Sequence, residues 1–292
     1  MANVRGFLDD PGAFALFNCM GTPAIEAMLP MVVESGVPFF APFTGALLAR
    51  RKDARNVFNV RASYADEAEQ LVRHLSTIGL RSIGIAYLNN AFGKEVHAST
   101  EAAIRKYRLQ SLIATPVQPD ASDAAAAASR MARAPQDALL VALAGKPTVD
   151  FVRAIRAQRR GLPLYALSIM GSSATVRSLG DDAPGITVSQ VVPSPGNPAL
   201  PLVREFRDAW KASGTALEPS HLALEGYINA RAFAEALRRA GRNPSRAAFI
   251  DSTWKLRGWD MGGLELNFTE PGSNASRFVE LTMVGRDGRF IR

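Results

Sequence analysis

The sequence contains few of the residues that most often bind metals or form disulfides. In 292 residues it has one cysteine, Cys19, and three histidines, His74, His97 and His221. A single cysteine excludes an internal disulfide, and histidines this far apart show no spacing typical of a metal site. We therefore expect no metal, and we expect Cys19 to be a buried thiol.

Long apolar runs are also absent. No run approaches the ~18 residues that a membrane-spanning helix needs. Residues 1–5 lack the charged and apolar regions of a secretory signal. If the chain is complete as given, it is therefore predicted to be cytoplasmic.

Motifs of common enzyme classes are missing as well. Residues 144–148 resemble the end of a phosphate-binding loop, but Leu140 stands where the first glycine belongs and Pro147 follows the lysine. Neither a dinucleotide-binding Gly-x-Gly-x-x-Gly nor a nucleophile elbow Gly-x-Ser-x-Gly occurs. The sequence therefore predicts a protein that is not an enzyme and needs no cofactor.

Basic residues outnumber acidic ones. The formal net charge is +7 and the isoelectric point is about 9.9. The excess comes from arginines spread over predicted helices, as at 50–51, 159–160 and 238–239, and aromatic residues do not alternate with them. This pattern is typical of solvated helical faces, so no nucleic-acid partner is predicted.

The remaining sequence predicts an α/β protein of roughly two domains. From Ser63 to Gly79 a capping-box-like start is followed by apolar residues at helical spacing. Strand-like runs at 82–87, 111–115, 138–143 and 164–168 then alternate with helical patterns at 96–107, 121–134 and 148–160. This alternation predicts a parallel sheet covered by helices.

Beyond Ser168 the pattern is less regular. A helix is predicted to open at 171–173, and a strand at 186–192 leads into the proline-rich segment 193–198, which is predicted to cross between domains. The later predicted elements are helices at 202–212 and 222–240 and strands at 263–268 and 278–284.

Two strand-to-helix junctions near the start predict a binding site. Apolar runs end at Gly21-Thr22-Pro23 and at Phe43-Thr44-Gly45, and each is predicted to be a buried strand followed by a helix. The threonine hydroxyls and the first free backbone N–H groups would then face the space beyond the strand ends. Adjacent helix starts of this kind suit a small polar or anionic ligand.

These junctions and three later motifs resemble the leucine/isoleucine/valine-binding-protein family, the type I periplasmic solute-binding proteins of ABC transporters. The residues that carry the resemblance are 21–23, 42–45, 58–64, 90–93 and 224–227. The resemblance implies two hinged lobes, each a parallel-sheet α/β sandwich, that trap a solute between them.

The resemblance also implies where the lobes lie along the chain. Lobe one is expected at 1–63 and 192–270, and lobe two at 64–191 and 271–292. Family members normally begin with a leader and then a strand, a helix and a strand. The chain is therefore expected to be truncated at its N-terminus, with lobe one lacking its first strands.

The resemblance assigns solute contacts residue by residue. They are Gly21, Thr22, Phe43, Thr44 and Gly45 in lobe one, Arg61 and Tyr64 at the first crossing, and Phe92, Gly145, Lys146 and Met170 in lobe two. Other roles stay open: Phe43 and Phe92 as core residues, the two threonines as helix caps, and Arg61 as the partner of a neighbouring carboxylate.

One departure from the family bears on the solute. Amino-acid-binding members hold the α-ammonium with an acidic residue after the strand that matches 164–168, whereas residues 169–173 here carry no carboxylate. An unpaired buried ammonium costs several kcal/mol. A branched or aromatic carboxylate, or a related small polar solute, is therefore expected to bind better than leucine.

The function implied is that of the solute-binding component of an ABC importer. Its partners would be a small polar solute and a permease in the inner membrane, and its location would be periplasmic. Two alternatives remain: a cytoplasmic ligand sensor of the same fold that regulates amide or amino-acid metabolism, and an α/β enzyme with an unrecognised site.

Overall fold

A computed structural model describes residues 2–291, with residue 112 described in its backbone alone. The helices are α1 (Ala2–Asp9), α2 (Thr22–Ser35), α3 (Tyr64–Thr77), α4 (Ala91–Lys106), α5 (Ala124–Arg133), α6 (Lys146–Gln158), α7 (Ser173–Leu179), α8 (Pro201–Ala212), α9 (His221–Ala240) and α10 (Arg246–Trp254). The strands are β1 (Leu16–Phe17), β2 (Phe39–Phe40), β3 (Val57–Phe58), β4 (Ser82–Leu88), β5 (Gln110–Val117), β6 (Ala138–Ala142), β7 (Leu164–Ala166), β8 (Thr187–Gln190), β9 (Trp259–Asp260), β10 (Glu265–Leu266), β11 (Glu280–Val284) and β12 (Phe290–Ile291).

The chain divides into two compact units and passes between them three times. Unit 1 comprises Met1–Ser63 and Val191–Phe278, and unit 2 comprises Tyr64–Gln190 and Val279–Arg292. The third boundary differs from the expected one at 270. Residues 275 and 276 stay with unit 1 because their amides donate to the carbonyl oxygens of Asn59 (2.8 Å) and Val60 (2.9 Å).

Unit 2 contains a seven-stranded sheet in the order β12-β11-β8-β7-β6-β4-β5. The strands from β5 to β8 are parallel, and β11 pairs antiparallel with both β8 and β12. Every residue of β6 is buried, as expected when helices cover both faces of a parallel sheet. The α/β fold with a parallel sheet covered by helices is thus confirmed.

Unit 1 is built on a smaller parallel sheet in the order β1-β2-β3. Successive strand residues point to opposite faces. Phe39 accordingly joins the apolar cluster under α2, which contains Ile25 and Val32. The ring of Phe40 packs on the other face, against Phe58, Phe233, Phe249 and Phe268. β9 and β10 form a separate antiparallel pair.

Two expectations for unit 1 were wrong. The first predicted strand is short and not fully buried, since β1 pairs only with β2 among the described strands and Phe17 is 40% exposed. The second junction is followed by a single 3₁₀ turn at Leu47–Ala49 rather than a helix. The Thr44 hydroxyl accepts from the Ala46 amide at 3.1 Å, and this side-chain turn competes with a helix start.

Several elements have no counterpart in the sequence predictions, namely α1, α10, β3, β9 and β12. They are short, and α10 alone among them reaches nine residues. Within residues 2–291, no helix combines the length and the apolar character that crossing a bilayer requires.

Candidate functional site

The two junctions of unit 1 meet at their threonines. The Oγ1 atoms of Thr22 and Thr44 are 2.8 Å apart, and both side chains are buried. Either hydroxyl can be the donor, so the pair uses one of its two hydroxyl hydrogens and leaves the other to donate elsewhere. The junctions are held together by Phe43, whose amide donates to the carbonyl oxygen of Cys19 at 2.8 Å.

Thr22 is not the N-cap residue of α2. Gly21 occupies the N-cap position at φ 103°, a conformation that favours glycine, and α2 begins at Thr22 with Pro23 in its first turn. The Thr22 side chain is therefore available to pair with Thr44. Hydroxyl groups beside the positive end of a helix suit a carboxylate or another small anion.

Arg61 and Glu225 form a buried ion pair in unit 1. Arg61 Nη1 lies 3.4 Å from Glu225 Oε1, and both side chains are at least nine-tenths buried. The guanidinium carbon also lies 5.2 Å from the centroid of the Phe43 ring, within the range of a cation–π contact. Arg61 therefore pairs with a carboxylate, although one that is distant in the sequence.

Glu225 was not predicted as a site residue. It lies on α9 with His221 one turn before it and Asn229 one turn after it, and all three are buried. Four-residue spacing places them on one helix face. The Nδ2 group of Asn229 donates to Asn18 Oδ1 at 2.9 Å, just beyond the end of β1. This polar face was hidden in a sequence stretch dominated by apolar residues.

In unit 2, Tyr64 and Phe92 are in contact. Their ring centroids are 5.1 Å apart and their planes are tilted by 72°, an edge-to-face arrangement, and both residues are buried. Phe92 lies in the first turn of α4, which is capped by the Asn90 side chain accepting from the Gly93 amide at 3.1 Å. A Cβ at Gly93 would collide with the backbone of β4, which explains the glycine.

The other unit 2 candidates differ in exposure. Gly145 has φ 63° and directly precedes α6. The Lys146 side chain is 71% exposed and pairs with Asp150 one turn further along α6. Met170 is buried in a 3₁₀ turn formed by Ser168–Met170.

A carboxylate lies at the end of β7 after all, although it comes from another part of the chain. Glu67 on α3 is fully buried and accepts from the Ser168 amide (2.8 Å) and the Ser168 hydroxyl (3.0 Å). It also accepts from the Ser189 hydroxyl at 2.6 Å. The end of β7 therefore has a carboxylate beside it although residues 169–173 carry none, because Glu67 reaches this point from a distant part of the chain.

Most of the predicted site residues lie after the carboxyl end of a parallel strand. Thr22, Thr44 and Arg61 follow β1, β2 and β3, and in unit 2 Phe92, Gly145 and Met170 follow β4, β6 and β7. The carboxyl ends of parallel strands are where open α/β sheets bind ligands. Contacts among these residues include Thr22 with Thr44, Phe43 with Arg61, and Tyr64 with Phe92, and the Gly21 amide donates to the carbonyl oxygen of Phe43 at 3.4 Å.

In the part of the chain from 2 to 291, no group of three or more His, Cys, Asp or Glu side chains could hold a metal ion. Cys19 is half-buried rather than buried, and desolvation raises the pKa of its thiol, which keeps the sulfur protonated and weakly nucleophilic.

Comparison with known proteins gives a consistent result. A profile of the periplasmic binding protein family matches residues 1–289. A substrate-binding periplasmic protein from Ralstonia solanacearum is 29% identical, with a TM-score of 0.90 over 99% of this chain and 83% of that chain. A possible leucine/isoleucine/valine-binding protein from Rhodopirellula baltica SH 1 is 29% identical, with a TM-score of 0.89 over 100% of this chain and 80% of that one.

An extracellular ligand-binding receptor from Verminephrobacter eiseniae ef01-2 is also 29% identical, with a TM-score of 0.87 over 99% of this chain and 85% of that chain. No curated protein matches in sequence.

Proposed function

The chain belongs to the periplasmic binding protein family, and on this basis we propose that it is the substrate-binding component of an ABC-type importer. The observation that carries the proposal is the buried hydroxyl pair of Thr22 and Thr44 at the start of α2. A spare hydroxyl hydrogen beside a helix N-terminus is an arrangement that binds a small carboxylate.

The surroundings of this pair support one class of solute. Phe43 offers an apolar ring in the same loop, and the Arg61–Glu225 pair offers both a donor and an acceptor. We propose a branched-chain or aromatic carboxylate, amino acid or amide. One similar structure is named a possible leucine/isoleucine/valine-binding protein, which supports this range.

The candidates in unit 2 are proposed as further solute contacts. Tyr64 and Phe92 would supply aromatic surface, Gly145 and Lys146 polar groups, and Met170 an adaptable apolar side chain. Gly21 and Gly45 complete the proposed set in unit 1 through their backbones.

The proposed setting is the periplasm, where the loaded protein delivers its solute to a permease in the inner membrane. Binding and release make or break no covalent bond. The solute recovered from the protein should therefore be chemically unchanged, which NMR of the released solute checks. A solute converted during incubation would favour an enzyme instead.

The direct test is calorimetric titration with a defined panel: L-leucine, L-valine, isovalerate, benzoate, phenylacetate and isobutyramide. We expect saturable binding of at least one panel member. Thr44→Val should weaken it by about tenfold or more, the equivalent of one hydrogen bond to a charged group. Thr77→Val, an exposed threonine on α3, is the matched control and should leave affinity unchanged.

Two results would argue against this proposal. Binding of no panel member would contradict the proposed solute class. Tight binding that Thr44→Val does not weaken would show that the solute is held elsewhere on the protein.

A further inference from the structure

One arginine joins the two segments of unit 1 that carry Thr44 and Arg61. Arg50 Nη1 donates to the carbonyl oxygens of Thr44 (3.2 Å) and Ala46 (2.8 Å). Its Nη2 donates to the carbonyl oxygen of Arg61 at 3.2 Å, and its Nε donates to Asn274 Oδ1. A single guanidinium thus contacts three separate stretches of the chain.

The anchor at Asn274 is itself held in place. Asn274 forms an isolated parallel bridge with Asn59, directly after β3, and the next residue donates its amide to the Asn59 carbonyl oxygen at 2.8 Å. The Asn59 side chain donates to the carbonyl oxygen of Ala49 at 2.9 Å. Arg50 is therefore fixed from both sides rather than free to rotate.

Most of the groups that accept hydrogen bonds from Arg50 are backbone carbonyl oxygens, so Arg50 acts on the position of the main chain. Its bonds to Thr44 and Arg61 restrain the main chain and leave the Thr44 hydroxyl and the Arg61 guanidinium available for their own contacts. Each restraint limits where those two side chains can lie. A surface whose groups are already in place loses less conformational entropy when a solute binds.

We propose that Arg50 is a positioning residue for the solute site, holding the loop at 44–46 and the backbone of Arg61 at the spacing that one solute requires. This inference rests on the proposed function and deepens it. Arg50 does not contact the solute itself; it acts through Thr44 and Arg61.

The positioning role proposed for residue 50 requires an arginine. The planar guanidinium has five N–H donors in a rigid fork, whereas a lysine ammonium is one point with three donors. Arg50→Lys keeps the charge and cannot reach all the acceptors. Its neighbour Arg51 is a matched control, because its guanidinium pairs with exposed Asp53 in the same local turn.

The experiment compares the native protein with Arg50→Lys and Arg51→Lys. Amide hydrogen exchange is followed in peptides covering 42–49 and 59–63, without solute and with the panel solute that binds the native protein most tightly. Affinity is measured by calorimetry and the unfolding midpoint by a thermal melt.

We expect Arg50→Lys to speed exchange in both peptides and to weaken solute binding about tenfold, equivalent to about 1.4 kcal/mol. Arg51→Lys should change neither quantity. Saturating solute should restore slow exchange at 42–49 in Arg50→Lys, because contacts at Thr44 then replace part of the restraint. A residue with a structural role alone would not show this recovery.

The outcomes separate the two proposals. Native exchange rates in Arg50→Lys would overturn the positioning role, and so would faster exchange with unchanged affinity. If the native protein binds no panel solute, the proposed solute class fails, while the solute-free exchange data still decide whether Arg50 holds the two segments.

Discussion

Replacing the two paired threonines by valine, singly and together, tests the geometry of the candidate site. Valine has the shape of threonine without the hydroxyl. In the native protein Thr44 Oγ1 has two partners, the Thr22 hydroxyl at 2.8 Å and the Ala46 amide at 3.1 Å. Thr22 Oγ1 takes part in the first of these hydrogen bonds and not in the second.

The stability changes follow from which groups lose a partner. Thr22→Val removes one hydrogen bond, worth about 0.5–1.5 kcal/mol, and leaves Thr44 bonded to Ala46. Thr44→Val leaves both the Thr22 hydroxyl and the Ala46 amide without their partner, at about 1–3 kcal/mol each, or roughly 2–6 kcal/mol. In the double variant the Thr22 hydroxyl is gone, so the loss falls to about 1–3 kcal/mol.

The double variant is therefore expected to be more stable than Thr44→Val alone. Urea denaturation followed by tryptophan fluorescence measures the stability of unit 1, because Trp210, Trp254 and Trp259 all lie in this unit. Thr77→Val on α3 serves as the control and should change little.

Additive stability losses in the two single variants would contradict a hydrogen bond between Thr22 and Thr44. If the free energy of unfolding falls in the double variant by the sum of the two single decreases, the two hydroxyls do not share a hydrogen bond. A Thr44→Val protein as stable as the native one would show that neither partner depends on this side chain.

Three further changes test other parts of the structure. Glu225→Ala should destabilise unit 1 by about 3–5 kcal/mol in urea denaturation, since it leaves the buried Arg61 charge without its carboxylate. Hydrogen bonding from Arg238 lowers the Glu235 pKa from 4.5 to about 2. The ionised Glu235 carboxylate therefore stabilises the folded protein above pH 4.5, and this stabilisation is lost as the pH falls toward 2. Glu235→Gln should accordingly be as stable as the native protein only near pH 2. Gly93→Ala should destabilise unit 2 by about 1–3 kcal/mol or more in a thermal melt, because its Cβ would collide with the backbone of β4; an unchanged melt would contradict that packing.

The regular part of unit 2 was predictable because its signals are local. The capping pattern at 63–66 and the apolar spacing that follows predict α3, and the alternating runs predict β4, β6 and their helices. The same reasoning failed at β1 and after Thr44. The exposure of β1 depends on its place at the edge of the sheet, and the turn after Thr44 depends on a side-chain hydrogen bond.

The candidate site was predictable only in part, for a related reason. Thr22 and Thr44 stand at junctions that the sequence pattern marks, so their role as candidates needed no structure. Glu67 and Glu225 meet their partners across long stretches of chain, as in the Glu67–Ser168 contact over 101 residues. Periodicity within one helix carries no information about such contacts.

The most direct measurement of the central claim is a crystal structure of the protein with the panel solute that binds most tightly. The account predicts a solute oxygen within about 3.2 Å of Thr22 Oγ1 or Thr44 Oγ1, at the start of α2. A solute bound without a contact to either hydroxyl would contradict it.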